Sequence, residues 1–462
     1  MPKMANAVDR VLTFRNSQGV RSQATLLHMS RAQIVFEVYN PYSIVQVSEV
    51  LTEVNIKRAG GLIYDGKAVV QTLVNTGLFL VVSATIVDRW ADVINLLARS
   101  NDVRSEVDQF VRDWEISSHV RPGYQLAVGE LRSFLSQLNP WLDQVDIANE
   151  DDAEKVPQDV YEQLREGLMP RVAAIQQHFE HEAKLVPTDE REAHCQYAQR
   201  DLLPLMMRAP FFFRSRTKPL GYAGDYMMVK MMVEGRREGV TTYARLVNDF
   251  YLEIDLVRGH RNRLIILEER LTRLAQAAAM NGSRISILNI GCGPAIELVR
   301  FIENCPESVR CQFRLMDFNG ETIAYARDAI ETAKRKSGRN VSVEFVEKSV
   351  NDLLRAAANT RRAEIKEYDL VYCAGLFDYF QERVCARLLE LFCDWTKIGG
   401  SVIATNVTPV NPTRYIMEHV VDWYLVHRTP SEMTSLAPPG HPYKVFDDAT
   451  HTNVILDITV AE

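Results

Sequence analysis

The sequence predicts a multidomain protein: an N-terminal small β-barrel, a central α-helical region, and a C-terminal α/β unit on a mostly parallel sheet. Three observations lead there. The chain has 462 residues, several times the roughly 100 to 200 that one core usually organises. Its first 95 or so residues are short runs rich in Val, Ile and Leu separated by turn clusters. From Ser283 onward the apolar pattern alternates between strand and helix periods. The boundaries fall at 1–98, 99–282 and 283–462.

In the first part, residues 23–27, 33–38, 68–74 and 77–82 read as strands. Asn16-Ser17-Gln18-Gly19, Asn40-Pro41 and Asn75-Thr76-Gly77 read as turns. Closely spaced strands with such punctuation predict an antiparallel barrel. In the central part, Val107, Phe110, Val111 and Trp114 share one face of a first helix, and Val160, Leu164, Leu168 and Val172 one face of another. Breaks are expected at Arg121-Pro122-Gly123, Asn139-Pro140 and Pro187-Thr188, and residues 149–155 read as an acidic linker. His178 and His181 lie one turn apart, but without a third ligand they read as a solvated helical face, and no metal is expected. In the last part, strands are expected at 285–289, 312–316, 342–346, 369–373, 401–405 and 453–460, with helices at 295–303, 321–336 and 383–396.

Composition narrows the classes. A net charge of −7 gives no basic footprint for nucleic acid. The seven cysteines are odd in number and form no Cys-x-x-Cys pair, which points to a reduced, cytoplasmic protein. The N-terminal residues have no apolar core of signal-peptide length. The longest apolar run, at 78–84, is far short of the ~20 residues a membrane helix needs.

The loop after the first strand of the α/β part carries the chemistry. In Ile287-Leu288-Asn289-Ile290-Gly291-Cys292-Gly293-Pro294, Gly291 and Gly293 allow a tight turn and close approach of backbone to a ligand. Pro294 stands at the mouth of the next helix, where proline fits. Met316-Asp317-Phe318 ends the second strand, where an acid can accept both hydroxyls of a ribose. A dinucleotide enzyme shares that geometry but wants a third glycine, and Ile296 stands in its place. A cofactor without phosphates suits the loop better.

The stretch Asn289-Ile290-Gly291-Cys292-Gly293-Pro294 resembles the first motif of class I methyltransferases, Rossmann-like enzymes that use S-adenosyl-L-methionine. Asn289 stands where that motif usually opens with an acid. By resemblance Asp317 and Phe318 lie at the ribose, Ser349 and Val350 flank the adenine, and Cys373, Ala374 and Gly375 face the transferred methyl. Ile398-Gly399-Gly400 is a further family mark.

A narrower likeness spans about 201–462. Lys218-Pro219-Leu220-Gly221-Tyr222-Ala223-Gly224-Asp225-Tyr226, then Arg258-Gly259-His260-Arg261-Asn262-Arg263 and Asp422-Trp423-Tyr424-Leu425-Val426-His427-Arg428, resemble bacterial 3-hydroxypalmitic acid methyl ester synthases. That resemblance implies methylation of the carboxylate of a small acyl substrate, such as a 3-hydroxy fatty acid, to give a quorum-sensing methyl ester. It makes Tyr222 and Asp225 parts of a lid over the cofactor, with a helix start capped by Asp225 as the plainer reading. Tyr222, Arg261 and Tyr379 are the catalytic candidates, and Arg263 and Arg428 are further cations that could orient a carboxylate. Two other readings stand beside this one: a protein methyltransferase, and a non-catalytic regulatory protein that binds S-adenosylmethionine.

The N-terminal barrel resembles a PilZ domain. Members that bind cyclic-di-GMP carry Arg-x-x-x-Arg and Asp-x-Ser-x-x-Gly. Here Arg15 and Arg21 are mis-spaced, and His28-Met29-Ser30-Arg31-Ala32-Gln33 lacks the acid and the glycine. Protein docking or homodimer formation is therefore expected of the barrel. Cyclic-di-GMP titrated into the full chain should give no heat of binding; micromolar affinity would contradict this.

Overall fold

The computed structural model describes residues 11–29, 32–39, 45–58, 61–75, 79–88, 104, 107–108, 111, 119–148, 156–235, 237–359 and 366–462. Phe110 and Trp114 of the expected first helical face, the linker at 149–155, the expected turn Asn40-Pro41 and the Thr76-Gly77 part of another lie outside them. The chain forms two compact units and passes between them several times. One comprises Met1–Ala223, Gly235–Ile254 and Pro412–Tyr424; the other comprises Gly224–Glu234, Asp255–Asn411 and Leu425–Glu462.

The first unit opens with six strands, β1 (Val11–Arg15), β2 (Arg21–Met29), β3 (Gln33–Tyr39), β4 (Val50–Arg58), β5 (Gly61–Asn75) and β6 (Phe79–Ile86). They close a barrel in the order β1-β2-β3-β6-β5-β4, antiparallel throughout, with β1 pairing β4 to seal it. Alternate residues such as Leu12, Phe14, Ile34, Phe36, Val82 and Ala84 fill the interior, as a strand period of two requires. The expected barrel is present. β4 was hard to see because its register shifts between Leu51 and Val54, where Glu53 has φ 49°, and such a bulge breaks the alternation.

Helices of this unit include Pro122–Ala148, Gln158–Lys184, Arg191–Met206, Pro210–Thr217, Thr242–Leu252 and Arg414–Val421. The break expected at Asn139-Pro140 does not occur: Pro140 lies inside the first of them. Proline removes one ladder hydrogen bond, but Leu135, Leu138 and Leu142 keep one buried face across it, and Arg208 Nη1 donates to Asn139 Oδ1 at 2.7 Å. His178 Nδ1 lies 3.0 Å from Glu130 Oε2.

Two of the conspicuous sequence segments are knitted together within this unit. Lys218 is buried, and its Nζ donates to the Val421 carbonyl at 2.9 Å. Desolvation pushes its pKa down to about 7. Asp422 accepts from Gln199 Nε2 at 3.0 Å and from Arg216. The barrel takes up both ends: Val50 N donates to Gly221 O at 2.7 Å, Ser48 Oγ to Tyr424 O at 2.8 Å, and Gln71 Nε2 to Tyr424 OH at 3.1 Å.

The second unit is built on β7 (Ile285–Ile290), β8 (Cys311–Asp317), β9 (Ser342–Glu347), β10 (Tyr368–Cys373), β11 (Thr396–Val407), β12 (Tyr443–Asp447) and β13 (Asn453–Thr459). Their order is β12-β13-β11-β10-β7-β8-β9, with β7 to β11 parallel and the last two strands antiparallel. Side chains alternate between two cores. Ile285, Ile287, Leu370, Tyr372 and Ile403 face one, with the helices Asp255–Met280, Ile296–Asn304 and Gly320–Ser337. Leu288, Ile290, Val371, Cys373 and Val402 face the other, with Val350–Asn359, Glu382–Trp395 and Pro430–Ser435. This is a doubly wound, Rossmann-like sheet, and its order reverses between β7 and β10. β12 and the helices Val350–Asn359 and Pro430–Ser435 were not anticipated. β12 lies at the sheet edge with mostly exposed side chains, so it carries little apolar pattern.

Gly259, in Asp255–Met280, allows the helix to press against the start of β13. A Cβ there would overlap Thr452 Oγ1 and Asn453 Nδ2. Gly129, also helical, has nothing within 4 Å of that position. Gly129→Ala should therefore stabilise by up to about 1 kcal/mol, as Ala outranks Gly in helices. Gly259→Ala should destabilise by about 1–2 kcal/mol net, because overpacking exceeds that gain. Thermal unfolding of both variants checks the opposite signs.

Candidate cofactor site

Open α/β sheets bind ligands beyond the carboxyl ends of their strands, where the strand order reverses. Here that point is the turn after β7. Gly291 N and Cys292 N both donate to the Met316 carbonyl, at 2.9 and 3.0 Å, so the turn folds over the end of β8. Gly291 and Gly293 have φ of 68° and 54°, and Ala295 follows at 49°. This left-handed run is why glycine is needed twice. Around Gly293 no heavy atom lies within 4 Å of the Cβ position, leaving its backbone open to approach.

Asp317 ends β8 and is 7% exposed. One carboxylate oxygen accepts from Gly293 N and the other from Asn319 N, both at 3.1 Å. Burial raises its pKa to about 6, opposed by those backbone donors. A carboxylate offers about four lone-pair sites, so capacity for a diol remains. Lys348 N donates to Asp317 O at 2.9 Å, which brings the end of β9 to the same place.

Beneath the turn lies a buried polar triad. Asn289 Nδ2 donates to Glu297 Oε1 at 3.1 Å and to Tyr372 OH at 3.0 Å, and Tyr372 OH donates to Glu297 Oε1 at 2.8 Å. Burial raises the Glu297 pKa, opposed by the Tyr372 hydrogen bond. Asn289 Oδ1 is buried and finds no donor among the described residues. Glu297 sits in the first turn of Ile296–Asn304, where a dinucleotide enzyme would receive a pyrophosphate. An acid there opposes phosphate by charge, as Ile296 does by bulk. Sequence reasoning passed over Glu297 because an acid in a helix's first turn is ordinary.

The remaining expected residues are placed as follows. Pro294 is buried beside the turn, and Phe318 is half-buried after β8. Ser349 caps Val350–Asn359: its Oγ accepts from Asp352 N at 3.1 Å and donates to Asp352 Oδ2 at 2.7 Å. Val350 is buried in the core. Cys373 ends β10 in the same core, Ala374 follows, and Gly375 has φ 82° with its N donating to Thr405 Oγ1 at 3.0 Å. Tyr379 ends the short turn Phe377–Tyr379 and is half-buried. Arg261 Nε donates to the Met232 carbonyl at 2.6 Å, tying its helix to Tyr226–Glu234.

The segment expected to act as a lid passes from the first unit to the second between Ala223 and Gly224. Tyr222 belongs to the first unit and is half-buried. Asp225 Oδ1 accepts from Met228 N at 2.9 Å, which is a helix cap. Tyr226 OH donates to Glu321 Oε1 at 2.7 Å, and its ring lies 4.9 Å from that of Tyr325. Both partners belong to Gly320–Ser337, the helix that follows Asp317.

No family model matches the chain, and no curated protein matches it by sequence. Solved structures similar to it include a Bordetella parapertussis protein described as a possible exported protein (15% identity, 64% of this chain and 97% of that one, TM-score 0.39). Magnesium protoporphyrin IX methyltransferase from Synechocystis PCC 6803, with bound SAH, is 10% identical over 45% of this chain and 85% of that one, TM-score 0.32. An O-methyltransferase family protein from Burkholderia thailandensis is 17% identical over 60% and 74%, TM-score 0.32. Among the described residues no helix is long and apolar enough to cross a membrane.

Because Asp317 binds its proton more tightly folded, at about 6, than at the usual ~3.9, its contribution to stability is full at low pH and is lost as pH rises through 6. Asp317→Asn should therefore gain on the wild type between pH 4 and pH 7, by about 3 kcal/mol at most. Denaturant titrations at several pH values measure the slope; parallel curves would contradict the assignment.

Proposed function

We propose that the second unit binds S-adenosyl-L-methionine and transfers its methyl group to the carboxylate of a small acyl substrate, such as a 3-hydroxy fatty acid. The observation that carries this reading is the pairing of a ribose-type acid, Asp317, with a turn that it holds through Gly293 N, above a helix whose first turn is occupied by the buried Glu297. The antiparallel β13 beside β11 also departs from the all-parallel six-strand dinucleotide sheet.

In this reading the Gly293 backbone approaches the cofactor, Asp317 accepts its ribose hydroxyls, and Asn289 Oδ1 accepts from its ammonium group. Phe318, Ser349 and Val350 flank its adenine, and Pro294 holds the turn. Cys373, Ala374 and Gly375 form the floor at the reacting end. Tyr379 and Arg261 border the acceptor. When bound, the cofactor supplies a sulfonium methyl: an acceptor oxygen lone pair forms the new O–C bond while the C–S electrons stay on sulfur, leaving an ester and a thioether. A carboxylate acceptor is ionised at neutral pH, so the chain needs no general base. Its residues position the reactants in line and exclude water. The methyl ester would serve as a diffusible signal.

The test follows radiolabel from S-adenosylmethionine into 3-hydroxy fatty acids supplied to the purified chain. Labelled methyl ester is expected with wild type. Asp317→Ala should weaken S-adenosylhomocysteine binding by about 1–3 kcal/mol, the cost of an unmet buried pair. Wild type that binds S-adenosylhomocysteine but labels only protein would overturn the acyl acceptor; no binding would overturn the cofactor.

A further inference from the structure

The helix Asp255–Met280 carries a buried cation that the cofactor turn does not use. Arg263 exposes only 4% of its side chain. A guanidinium brings five N–H donors, and each one left unmet in a dry setting costs free energy. Arg428, in the same unit, has its needs met: Nη1 donates to Phe377 O at 2.8 Å and Asn406 Oδ1 at 2.6 Å, and Nη2 to Phe380 O at 2.6 Å. Arg263 has far less. Its Nη1 reaches Asn453 Oδ1 at 3.5 Å, the Asp378 carboxylate stands off at 3.9 Å, and its Nε is buried with no acceptor among the described residues.

These donors lie at the carboxyl end of the sheet. Nη1 and Nη2 are both 3.0 Å from the point a Cβ on Gly375 would occupy, so the guanidinium rests against the first turn after β10. Gly375 is glycine for two reasons: this approach, and its φ of 82°. The other groups bearing on Arg263 are Asp378, Tyr379, Glu297 and Cys373. His260 also faces it, and burial pushes the imidazole pKa down to about 3, so it adds no charge there near neutrality. Asp378 accepts from Val407 N at 2.7 Å on one oxygen, and its other oxygen stands 3.9 Å from Arg263 Nη1.

We propose that Arg263 is the anion-binding group of the acceptor pocket, taking the substrate carboxylate against Gly375 and so selecting free acid over ester. This rests on the methyl-transfer reading above. Asp378 acts as a standing counter-charge that makes the buried cation tolerable before substrate arrives. Methylation removes the acceptor's negative charge, so the ester loses its ion pair and is released. We assign this role to Arg263 rather than to Arg261, whose Nε donates to the Met232 carbonyl.

The test measures binding of octanoate and of methyl octanoate, by calorimetry, to the full chain saturated with S-adenosylhomocysteine. Wild type should prefer the acid. Arg263→Gln should lose roughly thirtyfold or more in acid affinity while its affinities for the ester and for S-adenosylhomocysteine stay unchanged. Arg263→Lys should recover part of the loss. Asp378→Asn keeps an acceptor for Val407 N and removes the competing charge, so acid affinity should rise. Undiminished acid binding by Arg263→Gln overturns the proposal, as does parallel loss of acid, ester and S-adenosylhomocysteine. If Arg263→Gln does not fold, Asp378→Asn decides, and unchanged or weaker acid binding overturns it. Wild type that binds S-adenosylhomocysteine but not octanoate refutes this proposal alone. Failure to bind S-adenosylhomocysteine refutes the cofactor reading beneath it.

Discussion

The carboxylate of Asp317 is the interaction on which the site depends. It takes Gly293 N–H on one oxygen and Asn319 N–H on the other. The first of these bonds fixes the turn after β7, where the sheet reverses order, to the end of β8. The turn, with left-handed residues at Gly291, Gly293 and Ala295, is tied on both sides: below by the Met316 carbonyl, and at the rim by this carboxylate. The cost is a buried negative charge, seen in the raised pKa. A ribose diol would place two further donors on the same oxygens and offset part of that cost.

The charges around the turn divide its labour. Glu297 lies beneath Asn289 in the first turn of its helix, the place where a dinucleotide site would receive a pyrophosphate. Arg263 rests against Gly375, at the first turn after β10. A sulfonium and a carboxylate suit that arrangement: one reactant is positive, the other negative, and both become neutral on transfer. Arg428 does a different job. Its three short bonds hold Phe377, Phe380 and Asn406 together and leave little for a ligand.

Much of this was legible in the sequence. The barrel followed from short Val-rich runs and turn clusters. The α/β sheet followed from period-two strands alternating with helices, and Asp317 from its place at a strand end. What escaped has physical causes. β4 hides behind a bulge at Glu53. The break expected at Pro140 ignored the continuous leucine face that keeps the helix going. In the Lys218 to Tyr226 segment the helix start capped by Asp225 was legible, because that bond is local, to Met228 N. The bond from Val50 N to Gly221 O was not, because it joins residues far apart in sequence. Arg263 stood in plain view among three arginines. Only the partners of each could show which was left short of acceptors.

The central claim is that the turn at residues 289–294, with Asp317, holds S-adenosylmethionine and rejects pyrophosphate. The most direct measurement is a calorimetric titration of the wild-type chain with S-adenosylmethionine, repeated in the presence of excess NAD. The account predicts one cofactor bound per chain, with NAD neither binding nor competing. Tight NAD binding that displaces S-adenosylmethionine would contradict it.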